Sequence, residues 1–162
     1  MLQLGNTLIG TAYSITSSGT YKLLPTPLPG VTSSVLFGSG SATYTVVSDT
    51  YITAVVPASG TTGTVTVTTP SGTLSSKQIF KVLPVVLSFK PTSGPVGTQV
   101  TITGTGLTGT SKVTFGGVKT TAFTVNSGTQ ITATVPTGAK TAKVTITTAG
   151  GSAIGPGTFT VN

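Results

Sequence analysis

The side chains in this chain that could take part in chemistry are eight lysines, four tyrosines, one carboxylate at Asp49, and the hydroxyls of its serines and threonines. The chain has no histidine, cysteine or arginine. These residues cannot form a carboxylate pair, a Ser-His-Asp triad, a Cys-His pair or a zinc site. A hydroxyl nucleophile would need a lysine base kept neutral by burial. We therefore predict a protein that is not an enzyme and that uses no metal or other cofactor.

The lysines are the one strong electrostatic feature of the chain, which has a formal net charge of +7. A nucleic-acid-binding protein would use such lysines as phosphate contacts. The absence of arginine and of any dense basic run instead favours solubilising surface charges, with docking on an acidic partner as the alternative. Lys140 and Lys143, near a predicted turn, are the first candidates for such a contact. Five of the eight lysines lie in the second half of the chain: Lys90, Lys112, Lys119, Lys140 and Lys143.

The tyrosines could stack against sugars or bases, but their positions favour structural roles. Tyr21 and Tyr44 fall at positions that alternate with polar residues and are expected to face a core. Tyr51 is expected to be exposed, as a lone aromatic. Asp49 suits a local hydrogen bond in a turn, and one carboxylate is too few for a calcium site.

Small and β-branched residues dominate the composition, with 38 threonines, 17 serines and 22 glycines in 162 residues and only 6% charged residues. Disordered chains are also rich in glycine and serine, but they are poor in β-branched residues. Threonine and valine favour strands, so we expect a folded all-β protein. No apolar run reaches the roughly 18 residues that a membrane span requires.

The chain contains an internal repeat. Residues 43–82 align without gaps on residues 122–161, 79 positions later, and 17 of the 40 aligned positions are identical. Further upstream, residues 35–38 align on residues 113–116 with a shift of 78. We therefore predict two tandem copies of one domain, residues 1–83 and residues 84–162.

Within each copy, apolar residues recur at every second position, which is the period of strands with one buried face. The residues between them are mostly threonines, so the outer faces should carry hydroxyls. With glycine-rich turns at intervals of about 8 to 12 residues, this pattern predicts two tandem immunoglobulin-like β-sandwiches. The predicted inward-facing residues of the first copy are Tyr21, Leu23, Val35, Phe37, Tyr44, Val46, Ile52, Ala54, Val56, Val65, Val67, Phe80 and Val82. Those of the second copy are Val100, Ile102, Val113, Phe115, Phe123, Val125, Ile131, Ala133, Val135, Val144, Ile146, Phe159 and Val161.

Motifs of the second copy resemble the IPT/TIG domain family. They follow one another in order as PTSGPVGT at 91–98, VTITGTGL at 100–107, VTFGG at 113–117, TQITATVP at 129–136 and VTITT at 144–148. The resemblance implies an immunoglobulin-like fold, used in bacterial surface proteins, phage virion proteins, receptor ectodomains and some transcription factors, and it implies no enzyme. In such a fold Gly104 and Gly106 suit a bend between sheets, and Gly116 with Gly117 suits a hairpin turn.

The first copy departs from this pattern at its start, where the stretch 25–29 (PTPLP) stands in place of the glycine bend. Its three prolines, Pro25, Pro27 and Pro29, cannot donate to a strand ladder, so this stretch is expected to be an edge or a loop. An apolar leader precedes it. Such a leader would fray unless it is held, so we predict that it docks by strand addition, on a partner or on its own sandwich. The predicted docking residues are Met1, Leu2, Leu4, Leu8 and Ile9.

Of three functional hypotheses, we favour a structural protein on the surface of a bacteriophage virion. It would be a capsid decoration or cement protein, or a short fibre module. Its partners would be the major capsid protein, tail or fibre subunits, or further copies of itself. This interpretation rests on a start at Met1 without a recognisable signal peptide, on the apolar leader, and on sheet edges with few charges, which suit a protein that stays docked.

The alternative is a spacer, or a carbohydrate-binding or adhesion module, of a bacterial extracellular surface protein. A nucleic-acid-binding immunoglobulin-like domain comes third. No membrane partner is expected in any of the three cases.

Overall fold

The computed structural model describes residues 20–23, 32–48, 51–70 and 72–162. These residues form strands, turns and loops, and no helix occurs among them. The all-β class expected from the composition is therefore confirmed. The described chain falls into two compact units, and the boundary between them lies between Val82 and Leu83.

The first unit has seven described strands in two antiparallel sheets. They are β1 (Thr20–Leu23), β2 (Ser34–Phe37), β3 (Gly40–Ser41), β4 (Tyr44–Ser48), β5 (Tyr51–Val55), β6 (Val65–Thr69) and β7 (Gly72–Ser75). One sheet has the order β1-β5-β4 and the other has the order β3-β2-β6-β7. Burial alternates along β2, β5 and β6, as the period of two predicts.

The second unit has ten strands in two antiparallel sheets and one short parallel pair. They are β8 (Val85–Lys90), β9 (Ser93–Gly94), β10 (Gln99–Thr105), β11 (Thr110–Phe115), β12 (Val118–Thr120), β13 (Phe123–Ser127), β14 (Gln130–Thr134), β15 (Val144–Thr148), β16 (Gly151–Ile154) and β17 (Thr160–Val161). The sheets have the orders β13-β14-β10-β8 and β12-β11-β15-β16, and β9 pairs with β17.

The two units repeat one sheet topology. The order β1-β5-β4 corresponds to β10-β14-β13, and β3-β2-β6-β7 corresponds to β12-β11-β15-β16. Cross-strand pairs correspond as well, since Thr45 lies opposite Thr53 and Thr124 lies opposite Thr132. Both β4 and β13 have a bulge just before their last residue. The residues of these seven paired strands therefore have structural counterparts in the other unit, which can serve as internal controls.

Each unit has its own hydrophobic core. Ring pairs lie at the centre of both, with Phe37 and Phe80 at 5.0 Å between ring centroids and Phe115 and Phe159 at 5.3 Å. Both pairs have the edge-to-face geometry that aromatic quadrupoles prefer. The first core contains Val35, Phe37, Ala42, Ile52, Ala54, Val65, Val67, Phe80 and Val82. The second contains Val86, Phe89, Val100, Ile102, Leu107, Val113, Phe115, Ile131, Ala133, Val135, Val144, Ile146 and Phe159.

Val46 was predicted to face the core, and this prediction is wrong, because the side chain is 43% exposed. It lies on β4, the edge strand of its sheet, and next to the bulge between Val46 and Ser48. A bulge rotates the strand locally and interrupts its alternation. Five other predicted inward residues are only partly buried: Tyr44, Val56, Phe123, Val125 and Val161. The side chains of Tyr21 and Leu23 lie outside the described part.

The glycine turns of the second copy occur where the motifs indicate. Gly116 and Gly117 connect β11 to β12 with φ angles of 60° and 85°, which only glycine adopts readily. The register of β10 against β8 shifts between Thr103 and Gly104, so a bulge marks the predicted bend. Leu107 follows this bend and is fully buried. The period of two did not identify Leu107, because the chain has left the strand before reaching it.

Candidate interaction surfaces

The predicted docking residues Met1, Leu2, Leu4, Leu8 and Ile9 lie outside the described residues, and docking through them stays a prediction. Asp49 and the prolines at 25–29 lie outside them too. Within the described ranges, no group of three or more histidine, cysteine or acidic side chains could hold a metal ion. None of the elements in those ranges is a helix that could cross a membrane.

Most aromatic side chains that the structure describes belong to the cores rather than to a surface. Phe37, Phe80, Phe89, Phe115 and Phe159 are buried. Tyr44 packs against the first core, and its phenol donates a hydrogen bond of 2.7 Å to the carbonyl oxygen of Thr32. Phe123 packs against the second core. These rings therefore stabilise the sandwiches and do not form an open stacking platform.

Threonine hydroxyls cover the outer faces, and some also fasten the strands. The Thr62 hydroxyl accepts a hydrogen bond of 3.0 Å from the backbone N–H of Val82. Thr141 does the same for Val161 at 2.9 Å, at the equivalent place in the second unit. On the outer face of β15 and β16, the hydroxyls of Thr147 and Ser152 lie 3.0 Å apart. These faces offer many hydroxyl groups.

The first unit has one outer face that is less polar than its counterpart. We call it the β4–β5 face, because it belongs to strands β4 and β5. It carries Thr45, Val47, Tyr51, Thr53 and Val55. Val47 is 57% exposed and Val55 is 45% exposed. Tyr51 is half-buried, so the sequence-based expectation of an exposed ring is met only in part.

The equivalent face of the second unit is polar. There Asn126, Gln130 and Thr134 stand where the first unit has Val47, Tyr51 and Val55. The Asn126 side-chain amide donates hydrogen bonds to Gln130 at 3.1 Å and to Thr132 at 2.9 Å. Because both faces belong to the same fold, the three apolar residues of the first unit are not required by the topology.

A shallow depression lies on the β4–β5 face. Its volume is about 170 Å³, and its lining is Thr43, Tyr44, Thr45, Thr53, Ala54 and Val55. Pockets that enclose small ligands are commonly about 300 Å³ or larger. The depression is therefore too small to enclose a ligand, but an elongated molecule could lie along it.

The lysine side chains that the structure describes are all exposed. Three of them share the outer face of the sheet β12-β11-β15-β16: Lys112, Lys119 and Lys143. Lys140, which was grouped with Lys143 on sequence, lies in the loop between β14 and β15, where its carbonyl oxygen approaches Gly116. Sequence reasoning did not bring Lys112 and Lys119 together with Lys143. Only the register of the strands shows that they share a face.

Comparisons with known proteins agree with this fold. Residues 84–161 match the model of the IPT/TIG domain, and no curated protein matches the chain. Among solved structures, the surface glycan-binding protein PbSGBP-B from Prevotella bryantii has 18% identity over 96% of this chain and 41% of that chain, with a TM-score of 0.57. SGBP-B from a xyloglucan utilization locus in Bacteroides uniformis has 20% identity over 95% and 48%, with a TM-score of 0.47.

The extracellular region of plexin A4 has 21% identity over 91% of this chain and 16% of that chain, with a TM-score of 0.47. This chain thus spans less than half the length of each of these solved proteins. Identities this low relate the folds and not the activities.

Proposed function

We propose that the chain is a non-catalytic segment of a bacterial extracellular surface protein, in which residues 84–161 are an IPT/TIG domain. In this proposal residues 1–83, the first copy, are a divergent domain of the same kind. The two sandwiches act as a spacer that holds other parts of the protein away from the cell.

The observation that carries the proposal is the extent of the structural likeness to the Prevotella bryantii surface glycan-binding protein. It covers 96% of the chain, so both units take part in it. The surface composition of each unit supports a spacer role, since the described phenylalanines belong to the cores and threonine hydroxyls cover much of the outer faces. Apolar side chains exposed singly among hydroxyls are normal for a surface and do not by themselves form a docking site.

The virion function that the sequence analysis placed first has less support. The similar proteins described above include surface glycan-binding proteins and no virion protein. The apolar leader on which the virion interpretation depended lies outside the described residues. We therefore place the bacterial surface first and the virion second.

Antibodies raised against the chain should label the outside of intact bacteria that produce it, because a surface segment is accessible without permeabilisation. Brief protease treatment of intact cells should remove the label, while a cytoplasmic marker protein in the same cells should survive. The measurement is immunogold electron microscopy of cells and of any phage particles that they release. Labelling confined to phage particles would establish the virion function and refute this proposal.

A second candidate function is supported by the β4–β5 face. Val47, Tyr51 and Val55 replace polar residues of the second unit, and threonine hydroxyls lie beside them. An aromatic ring next to apolar groups and hydroxyls suits a neutral glycan chain, whose sugar rings have apolar faces and hydroxyl edges. In this case the first unit would contact glycan directly while the second acts as the spacer.

The Tyr51→Gln variant should bind a neutral glucan oligosaccharide about ten-fold more weakly than the original chain, since loss of a central aromatic contact commonly costs this much. The substitution installs the residue of the second unit, so the strand should tolerate it. Gln130→Ala is the matched control and should leave the affinity unchanged. Isothermal titration calorimetry measures both. If the original chain does not bind the oligosaccharide, the β4–β5 face is not a glycan site and only the spacer role stands.

A further inference from the structure

The second unit is cationic throughout. Residues 83–162 contain five lysines and no acidic residue, so no side chain of the unit can form a salt bridge with these lysines. Unpaired surface lysines create a positive potential that attracts anions. The place where these charges concentrate is therefore a candidate binding surface.

Three of the five lysines share one sheet face. Lys119 lies opposite Thr114, which in turn lies opposite Thr145 on β15. Lys112 lies opposite Thr147 on the same face. Lys143 precedes β15 by one residue, and its carbonyl oxygen accepts a hydrogen bond from Gly116 at 3.2 Å. Since Val144 is buried and Thr145 is not, the alternation of β15 places Lys143 on the outer side with Thr145. We call this surface the lysine face.

The sheet geometry sets the spacing of the three charges. With about 3.3 Å per residue along a strand and about 4.8 Å between strands, the three lysine Cα atoms lie roughly 8 to 14 Å from one another. Thr145 and Thr147 of β15 lie beside them on the same face, with Thr147 directly opposite Lys112. The face thus presents separated positive charges with hydrogen-bonding groups beside them.

The first unit shows that the fold does not need these lysines. In the first unit, Leu36 lies opposite both Ser41 and Thr66. In the second unit, Thr114 lies opposite both Lys119 and Thr145 in the same way. This register places Ser34, Ser41 and Thr64 at the positions of Lys112, Lys119 and Lys143. A serine or threonine is therefore compatible with each position. All three differences add a positive charge to the same face of one unit.

We propose that the lysine face binds an acidic polysaccharide through its carboxylates. Such a polymer carries carboxylates separated by sugar rings, so it matches separated ammonium groups with hydroxyls beside them. Phosphates favour arginine, whose planar fork binds two oxygens at once, and the chain has none. The choice of a polysaccharide over a nucleic acid rests on the proposed extracellular location, whereas the existence of the lysine face does not.

The test compares two triple variants with equal net charge. One is Lys112→Ser with Lys119→Ser and Lys143→Thr, which installs the residues of the first unit. The control is Lys77→Ser with Lys81→Ser and Lys90→Ser, which removes three exposed lysines outside the face. The probe is polygalacturonate at low salt, measured by calorimetry, with neutral glucan and double-stranded DNA as the other two ligands.

The lysine-face variant should bind polygalacturonate about a hundred-fold more weakly than the original chain, since a lysine close to a polyanion contributes about five-fold each. For the control variant, the binding free energy for polygalacturonate should change by less than about a third of this amount, because only the unspecific attraction changes. Neutral glucan should be unaffected by either variant.

If both triple variants lost the same affinity for polygalacturonate, or if the original chain did not bind it, the lysine face would not be a binding site. Tighter binding of DNA than of polygalacturonate at the same salt would overturn the choice of polysaccharide. The assay uses purified protein, so it can fail while the cell-surface location stands. The immunogold measurement can fail while the lysine face still binds.

Discussion

Replacing Phe159 by alanine should destabilise the second unit by about 3 to 5 kcal/mol, the usual cost of removing a buried phenylalanine. Phe159 is fully buried, and its ring contacts both Phe115 and Phe89, at centroid distances of 5.3 Å and 6.4 Å. Its backbone also exchanges two hydrogen bonds with Ala142, at 2.9 Å and 3.1 Å. The substitution would thus leave a cavity at the point where the last strand closes the core.

The repeat supplies the matched variant, Phe80→Ala in the first unit. Phe80 has the same role there, since it contacts Phe37 and exchanges backbone hydrogen bonds of 2.8 Å and 3.0 Å with Gly63. If the two copies are separate domains, each variant should lower the melting temperature of its own unit only. The shift should be on the order of 15 °C or more, given the size of each unit.

Scanning calorimetry, combined with amide exchange to assign each transition, measures these effects. The predicted division into residues 1–83 and 84–162 requires two transitions that respond separately to the two variants. A single transition that moves equally in both would show that the chain unfolds as one cooperative unit, and the predicted domain division would then be wrong.

The sequence identified most core residues because alternation is a local property, and it missed Ala42, Val86, Phe89 and Leu107. A residue such as Ile146 lies between two threonines, and only one face of a strand can be buried, so its position follows from its neighbours. The IPT/TIG motifs of the second copy then identified the fold, since glycines at fixed positions require particular turns. The family match to residues 84–161 confirms that resemblance.

The candidate surfaces depend on strand pairing, which the sequence does not specify locally. Lys112 and Lys143 are 31 positions apart in the chain, and only the pairing of β11 with β15 brings them to one face. The same holds for Val47 and Val55, which β4 and β5 bring together across a bulge. Val46 was misplaced for this reason as well, because a bulge at a sheet edge leaves no mark in the alternation. The function could not be predicted from the sequence for a further reason, because a fold does not determine its binding partners.

Replacing Gly104 by alanine should destabilise the second unit by about 3 kcal/mol, at the upper end of the usual cost of overpacking. Gly104 lies at the bulge where the pairing of β10 with β8 shifts its register. A Cβ atom at this position would collide with the carbonyl oxygen of Val85, closer than real Cβ atoms approach backbone oxygens. A backbone atom cannot move aside as a side chain can, so β8 would have to separate from β10.

Gly109→Ala is the control for this prediction. Gly109 has a φ of 77° and open space where its Cβ would lie, so alanine there costs only the left-handed conformation, about 1 kcal/mol. Urea unfolding gives the two free energies, and amide exchange should show the loss of protection in β8 and the adjoining part of β10 for Gly104→Ala alone. The sequence analysis inferred a bend from the glycines at 104 and 106. The close approach of β8 to β10 is the physical reason that position 104 requires glycine. If Gly104→Ala cost no more than Gly109→Ala, then β8 would not lie as close to β10 as described, and glycine would be needed at position 104 for another reason.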